Sequence, residues 1–171
     1  MPTDAEFLRR AIQLAVHNVH SGAGGPFAAV IVRDGQILGE GANSVTRTLD
    51  ATAHGEVNAI RDACRRTGQF LLTGCTLYTS CEPCPMCLAA CYWAQIERVV
   101  FGASQDDAAS AGFGDATLYR EFSLPAAERA LPVVGMLQAE ALAAFDAWQE
   151  SAQRIDYGSL PPGLNARSPD F

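Results

Sequence analysis

Two stretches, Ala53-His54-Gly55-Glu56 and, beyond 26 intervening residues, Pro83-Cys84-Pro85-Met86-Cys87, decide how this chain is read. Together they set one imidazole, two thiols and one carboxylate at a fixed spacing. His54, Cys84 and Cys87 are nitrogen and sulfur donors of the kind that hold zinc. Three protein ligands leave the fourth corner of a tetrahedral ion open to water, as in catalytic sites; structural sites are closed by a fourth ligand. Glu56 follows the histidine by two residues and is not itself a ligand, so it can face that open corner and carry a proton. The set predicts hydrolytic chemistry at one Zn2+ per chain.

Two other readings use the same residues. A C-x-x-C can be a redox pair or half of a structural zinc site. A structural site needs a fourth Cys or His at matching spacing. Cys64, Cys75 and Cys91 form no second C-x-x-C, and Cys81 to Cys84 encloses Pro83, which belongs to the first motif. The catalytic reading is therefore preferred, and the remaining cysteines are expected to be core thiols, not a disulfide framework.

Working outward, Thr52 is a candidate cap for a helix from His54 to about Arg66. Cys75 to Thr79 reads as a short strand. Pro83 and Pro85 mark a turn into a second helix reaching about Gln95, since proline is tolerated where the first N–H groups lack partners. Cys84 and Cys87 then share the first turn, where the positive helix end favours their thiolates. Upstream, Phe7, Leu8, Ala11, Leu14, Ala15 and Val19 recur at helical spacing over 5–20. Ser21 to Pro26 breaks that helix. Phe27–Val32 and Gln36–Gly41 read as a hairpin about Asp34-Gly35. Asn43–Ala53 reads as a polar loop. Downstream, Arg98–Gly102 is a strand, Asp106–Gly114 a small-residue loop, Pro132–Leu137 a last strand, and Ala139–Arg154 a last helix with Leu142, Phe145 and Trp148 on one side. Helices alternating with strands imply an α/β fold, a three-layer α/β/α sandwich with a central mixed sheet. Residues 1–157 are expected to form one domain and 158–171, rich in Gly and Pro, an irregular tail.

The 171 residues suffice for one domain with a good core. With 49% hydrophobic and 18% charged residues, the composition is ordinary for a globular protein. No apolar run approaches the ~18 residues of a membrane span. Asp4 and Glu6 precede Arg9 and Arg10, the wrong order for a secretory signal, so the expectation is a soluble cytoplasmic protein without a membrane partner. Twelve basic against 19 acidic residues give a net charge of −7. Proteins that grip nucleic acid usually present a basic patch, and the pairs Arg9-Arg10 and Arg65-Arg66 are isolated, so a nucleic-acid partner is disfavoured.

The H-x-E…P-C-x-x-C pattern is that of the zinc nucleobase deaminases, and the chain resembles the cytidine-deaminase-like superfamily. Within it, the likeness is to the small bacterial guanine deaminases. It takes in Gly24-Gly25-Pro26-Phe27, Glu40-Gly41-Ala42-Asn43, Thr52-Ala53-His54, Tyr78 through Leu88, Tyr92-Trp93-Ala94, Asp107-Ala108-Ala109, Ala111-Gly112-Phe113, Asp115, Phe145, Trp148 and Tyr157. The zinc motif is specific to the superfamily only. The downstream Gly-Phe-x-Asp and Tyr157 point towards guanine. Gly55 stands where Ala is usual, a small change; Gly114 replaces an acidic residue; 14 residues follow Tyr157.

The resemblance implies a role for each matching residue. His54, Cys84 and Cys87 would bind zinc, and Glu56 would be the proton shuttle. Asn43 would hydrogen-bond a purine through its amide, and Asp115 would contact the polar edge of the base. Phe27, Trp93 and Phe113 would wall the pocket. Tyr157 would close it from a C-terminal segment exchanged between the subunits of a homodimer. The implied reaction is guanine to xanthine and ammonia. Rivals are deamination of guanosine, for which a longer tail could leave room, deamination of tRNA adenosine, and a non-catalytic zinc-binding assembly protein.

Overall fold

A run that is apolar on both faces, Ala28-Ala29-Val30-Ile31-Val32, lies at the centre of the molecule. The computed structural model describes residues 2–157 and makes this run strand β1 (Ala28–Arg33). Ala29 and Ile31 point one way, into a cluster with Ala59, Ala63, Leu72, Leu77 and Cys91. Val30 and Val32 point the other way, against Phe7 and Tyr78. A strand apolar on both faces must be covered on both. Helix α1 (Asp4–His20) covers the second face through Phe7, Ala11 and Ala15. Helix α3 (Gly55–Thr67) covers the first through Ala59 and Ala63, with α4 (Pro85–Trp93) beside it through Cys91. Between α3 and the hairpin lies a single-turn helix, α2 (Val45–Thr48).

Strands β2 (Gln36–Ala42), β3 (Thr76–Cys81) and β4 (Arg98–Ala103) complete a four-stranded sheet in the order β2-β1-β3-β4. β1 is antiparallel to β2 and β3, and β3 runs parallel to β4 through the α4 crossover. The result is the three-layer α/β/α sandwich with a mixed sheet. The hairpin turn has positive φ at both Asp34 (53°) and Gly35 (75°), the conformation that matches the strand twist and that Asp-Gly adopts readily. Fully buried Ile31 and Leu77 contribute about 1.5–3 kcal/mol each. Exposed ion pairs such as Arg61–Asp50 contribute about 0–1 kcal/mol. The layers are therefore held by the sheet faces.

Several local expectations are corrected. The N-cap of α3 is His54; the Thr52 hydroxyl instead donates to Asp50 Oδ1 at 2.6 Å. Residues 106–114 are not all loop, because α5 (Gln105–Ser110) occupies most of them, and α6 (Asp115–Ser123) follows. Residues 132–137 are not a strand: they have no ladder partner and stand in solvent. The last helix is two short pieces, α7 (Gln138–Ala141) and α8 (Ala143–Glu150), which pack on each other and not on the sheet. Val19, expected on the buried stripe of α1, is about half exposed. The tail expected over 158–171 lies outside the described residues. Among the described residues no helix is long and apolar enough to cross a membrane.

Candidate active site

The candidate ligands sit at two helix starts. His54 is the N-cap of α3 and Cys84 the N-cap of α4, each in extended backbone. Pro85 occupies the first turn of α4, where its missing N–H costs nothing, and Cys87 lies in the same turn. The extended cap residues turn their side chains across the two helix ends towards each other. His54 Nδ1 lies 3.6 Å from Cys84 Sγ and 3.5 Å from Cys87 Sγ. All three donor atoms fall within 4.8 Å of one another. Tetrahedral zinc, at ~2.0–2.1 Å from nitrogen and ~2.3 Å from sulfur, holds such neighbours about 3.6 Å apart. The donor types and their spacing therefore fit Zn2+. Among the described residues this is the one such cluster.

Glu56 is 5% exposed and lies against the triad. The Cys87 thiol donates to its Oε2 at 3.4 Å, and the Thr79 hydroxyl to its Oε1 at 3.4 Å. Burial holds its carboxyl above the usual carboxylate range. Hydrogen bonds from Cys87 and then His54 draw Cys84 down to about 4, against the effect of burial. Hydrogen bonding to that thiolate, with burial, pushes the proton-bearing Cys87 up. His54 is raised, chiefly by its bond to Cys84. The other thiols behave differently. Burial lifts Cys81 to about 11 and Cys91 to about 12, so both remain protonated core groups, as the sequence suggests.

Beside the triad is a cavity of about 310 Å³, lined by Phe27, Asn43, His54, Glu56, Phe113 and Asp115 among others. This lies at the small end of the ~300–1,000 Å³ typical of ligand pockets. Phe27 and Phe113 meet edge to face, with centroids 4.6 Å apart, and form an apolar wall. The Asn43 backbone N–H donates to Phe27 O at 2.8 Å, and its Oδ1 accepts from Gly25 N and Val45 N, both at 3.4 Å. Its side-chain NH2 makes no hydrogen bond among the described residues. Asp115 opens α6, and burial raises its carboxyl.

Two expected wall residues do not line this cavity within one chain. Trp93 ends α4 and is 56% exposed. Tyr157 is 62% exposed and stacks edge to face on Trp148, with centroids 5.7 Å apart. Sequence reasoning gave no part to Thr79, Glu82, Val45 or Thr46. Glu82 was signalled by its place beside Pro83. Thr79 reaches Glu56 only through the register of β3, which no local pattern announces.

The matches to known proteins follow the same lines. Residues 1–103 match the model of the cytidine and deoxycytidylate deaminase zinc-binding region. The guanine deaminase of Bacillus subtilis (strain 168) is 51% identical over 151 residues, which is 88% of this chain and 97% of that protein. An X-ray structure of guanine deaminase from Bacillus subtilis superposes with a TM-score of 0.88 at 49% identity, covering 91% of this chain and 99% of that one. A tRNA-specific adenosine deaminase of Aquifex aeolicus (strain VF5) is 46% identical over 78 residues, only 46% of this chain and 52% of that protein. With the zinc-binding motif intact and the family's sheet built around it, this chain belongs to the cytidine and deoxycytidylate deaminase zinc-binding family.

Proposed function

We propose that the protein is a zinc-dependent guanine deaminase that converts guanine and water to xanthine and ammonia. The observation that carries this reading is the near end-to-end likeness to guanine deaminase, which continues past the zinc-binding region through the segment bearing Phe113 and Asp115. Likeness to the tRNA enzyme covers about half the chain, and the charge of −7 is unfavourable for gripping RNA.

His54, Cys84 and Cys87 would hold the ion, whose bound form supplies Lewis-acid activation of a water near neutral pH. Phe27 and Phe113 receive the flat ring. The Asn43 NH2, unpaired among the described residues, donates to a ring or carbonyl acceptor, and Asp115 accepts from the polar edge of the base. Glu56 takes the proton of the attacking water and delivers it to a ring nitrogen as the C–O bond forms. It then carries the second proton to the exocyclic amine, the C–N bond breaks, and ammonia leaves. A carboxyl held above its usual range by burial suits a group that must both accept and give a proton near neutrality.

A cytoplasmic homodimer with exchanged C-terminal segments belongs to the same reading. Leu131, Val133, Val134, Met136, Phe145 and Ile155 are all exposed, more apolar surface than a monomer ordinarily leaves in water. In an exchanged dimer, Tyr157 and Trp93 complete the wall of a cavity partly built by the other subunit. Ammonia release from zinc-loaded protein with guanine, guanosine, adenine, cytosine and cytidine in parallel tests the reading. Guanine should be turned over. Turnover of guanosine alone, or silence on guanine, would overturn it.

A further inference from the structure

The residues that would read the base and those that would hold the ion lie on different stretches of chain, and the structure joins them at two points. The first is Glu82. Its backbone N–H donates to Ala103 O at 2.8 Å at the end of β4. Its carboxylate accepts from both donors of Gln105, the backbone N at 3.1 Å and Nε2 at 2.9 Å. Gln105 is the first residue of α5. The second is Tyr119 on α6, whose hydroxyl donates to the Pro83 carbonyl oxygen at 2.8 Å.

These two attachments bracket the stretch that contains Phe113 and Asp115. Both end on Glu82-Pro83, immediately before Cys84. The Pro83 carbonyl belongs to the same planar peptide as the Cys84 nitrogen, so a bond to that oxygen ties α6 to a point one peptide away from Cys84, itself fixed as the N-cap of α4. Asp115 and Tyr119 are four residues apart on one helix and share a face. The loop between the tethers, Ala111-Gly112-Phe113-Gly114, is fastened on its α5 side, where the Gly112 and Phe113 amides donate to Ala109 O and Ala108 O, both at 3.0 Å; Gly112 allows the turn with φ +92°, and open space surrounds both glycines. Phe113 is held by its bond to Ala108 and its edge contact with Phe27, whereas Asp115, at the start of α6, depends on how that helix is attached through Tyr119.

We propose that Tyr119 is a positioning residue that, with Glu82, sets the base-reading face of α6 in register with Cys84 and so governs how well the base is presented. Tyr119 acts through Asp115 and does not touch the base. This rests on the guanine reading above.

The test is Tyr119→Phe, which keeps the ring and removes the hydroxyl, in zinc-loaded protein. A misplacement of about 1 Å can cost ~100-fold in catalysis, so kcat/KM for guanine should fall ~10–100-fold, mainly through KM, with zinc content unchanged. The double variant Tyr119→Phe/Asp115→Asn should be no worse than Asp115→Asn alone, since a residue acting through another adds nothing once that other is gone. Tyr78→Phe, which loses a hydroxyl remote from the cavity, should leave kcat/KM as it was. Hydrogen exchange at the Thr117 amide, which donates to Gly114 O in the first turn of α6, should quicken in Tyr119→Phe, a readout that needs no substrate. Unchanged exchange, additive losses in the double variant, or loss of zinc from Tyr119→Phe would each overturn the proposal. If the wild-type protein fails to deaminate guanine, the functional reading fails, and the exchange experiment still decides the tether.

Discussion

Gly55 sits between the two most consequential side chains of the site and touches the sheet directly. A Cβ at this position would lie 2.8 Å from the Ala28 Cα, a contact of backbone on backbone in which neither group can swing aside. From sequence alone, Ala in its place reads as a minor change; the packing shows that it requires α3 to move off β1. Gly55→Ala should cost about 1–3 kcal/mol, the usual penalty for overpacking. It should also displace His54 and Glu56 together, so that activity falls with stability. Urea unfolding of the zinc-loaded variant measures the first effect, and wild-type stability would show that the helix relaxes freely. The triad and Glu56 were legible in the sequence because their spacing alone sets them on two helix starts. The partners of Glu56 were not legible, because Thr79 reaches it across 23 residues through strand register.

At the scale of elements, α1 is fastened to the sheet by a polar cluster as well as by its apolar face. The Tyr78 hydroxyl donates to Asp4 Oδ1 at 2.7 Å, and Arg98 pairs with the same carboxylate. Arg98, then Tyr78, hold Asp4 below its ordinary range. A carboxylate depressed in the folded state adds stability above its unfolded pKa of about 3.9 and loses it as pH falls through the folded value. Thermal midpoints of wild type and Asp4→Asn should therefore differ at neutral pH and converge as pH drops below about 4. A constant difference across that range would show that the carboxylate charge is not what matters. The elements least legible in sequence were α5 and α6. α5 has no apolar stripe, yet Ser104 and Asp107 form a reciprocal cap that was present as a signal: Ser104 N donates to Asp107 Oδ2 at 2.8 Å. The expected strand over 132–137 failed for the opposite reason. Val133 and Val134 favour extended backbone, but a strand needs a neighbour to pair with.

For the whole molecule, the sandwich was legible because the helical period over 5–20 gives way to short apolar runs about Asp34-Gly35 and at 75–79, with helix starts marked between the strands. What sequence could not give is where residues 131–157 pack, since a single chain offers them little to cover. The homodimer reading predicts a solution mass twice the 18.2 kDa of the chain by light scattering. Exchange of the C-terminal segment predicts something sharper. Glu56→Gln and Tyr157→Ala homodimers, each impaired, should regain activity when unfolded together and refolded, because one site of the mixed dimer then has both native groups. No recovery would mean that Tyr157 serves its own chain or none. The central claim is that Glu56 moves protons beside a zinc held by His54, Cys84 and Cys87. The direct measurement is ammonia release from guanine by zinc-loaded wild type and Glu56→Gln, with zinc content determined on both. A fall of ~10²–10⁴-fold with the metal retained is the predicted result. Near-normal turnover by Glu56→Gln at full zinc content would contradict it.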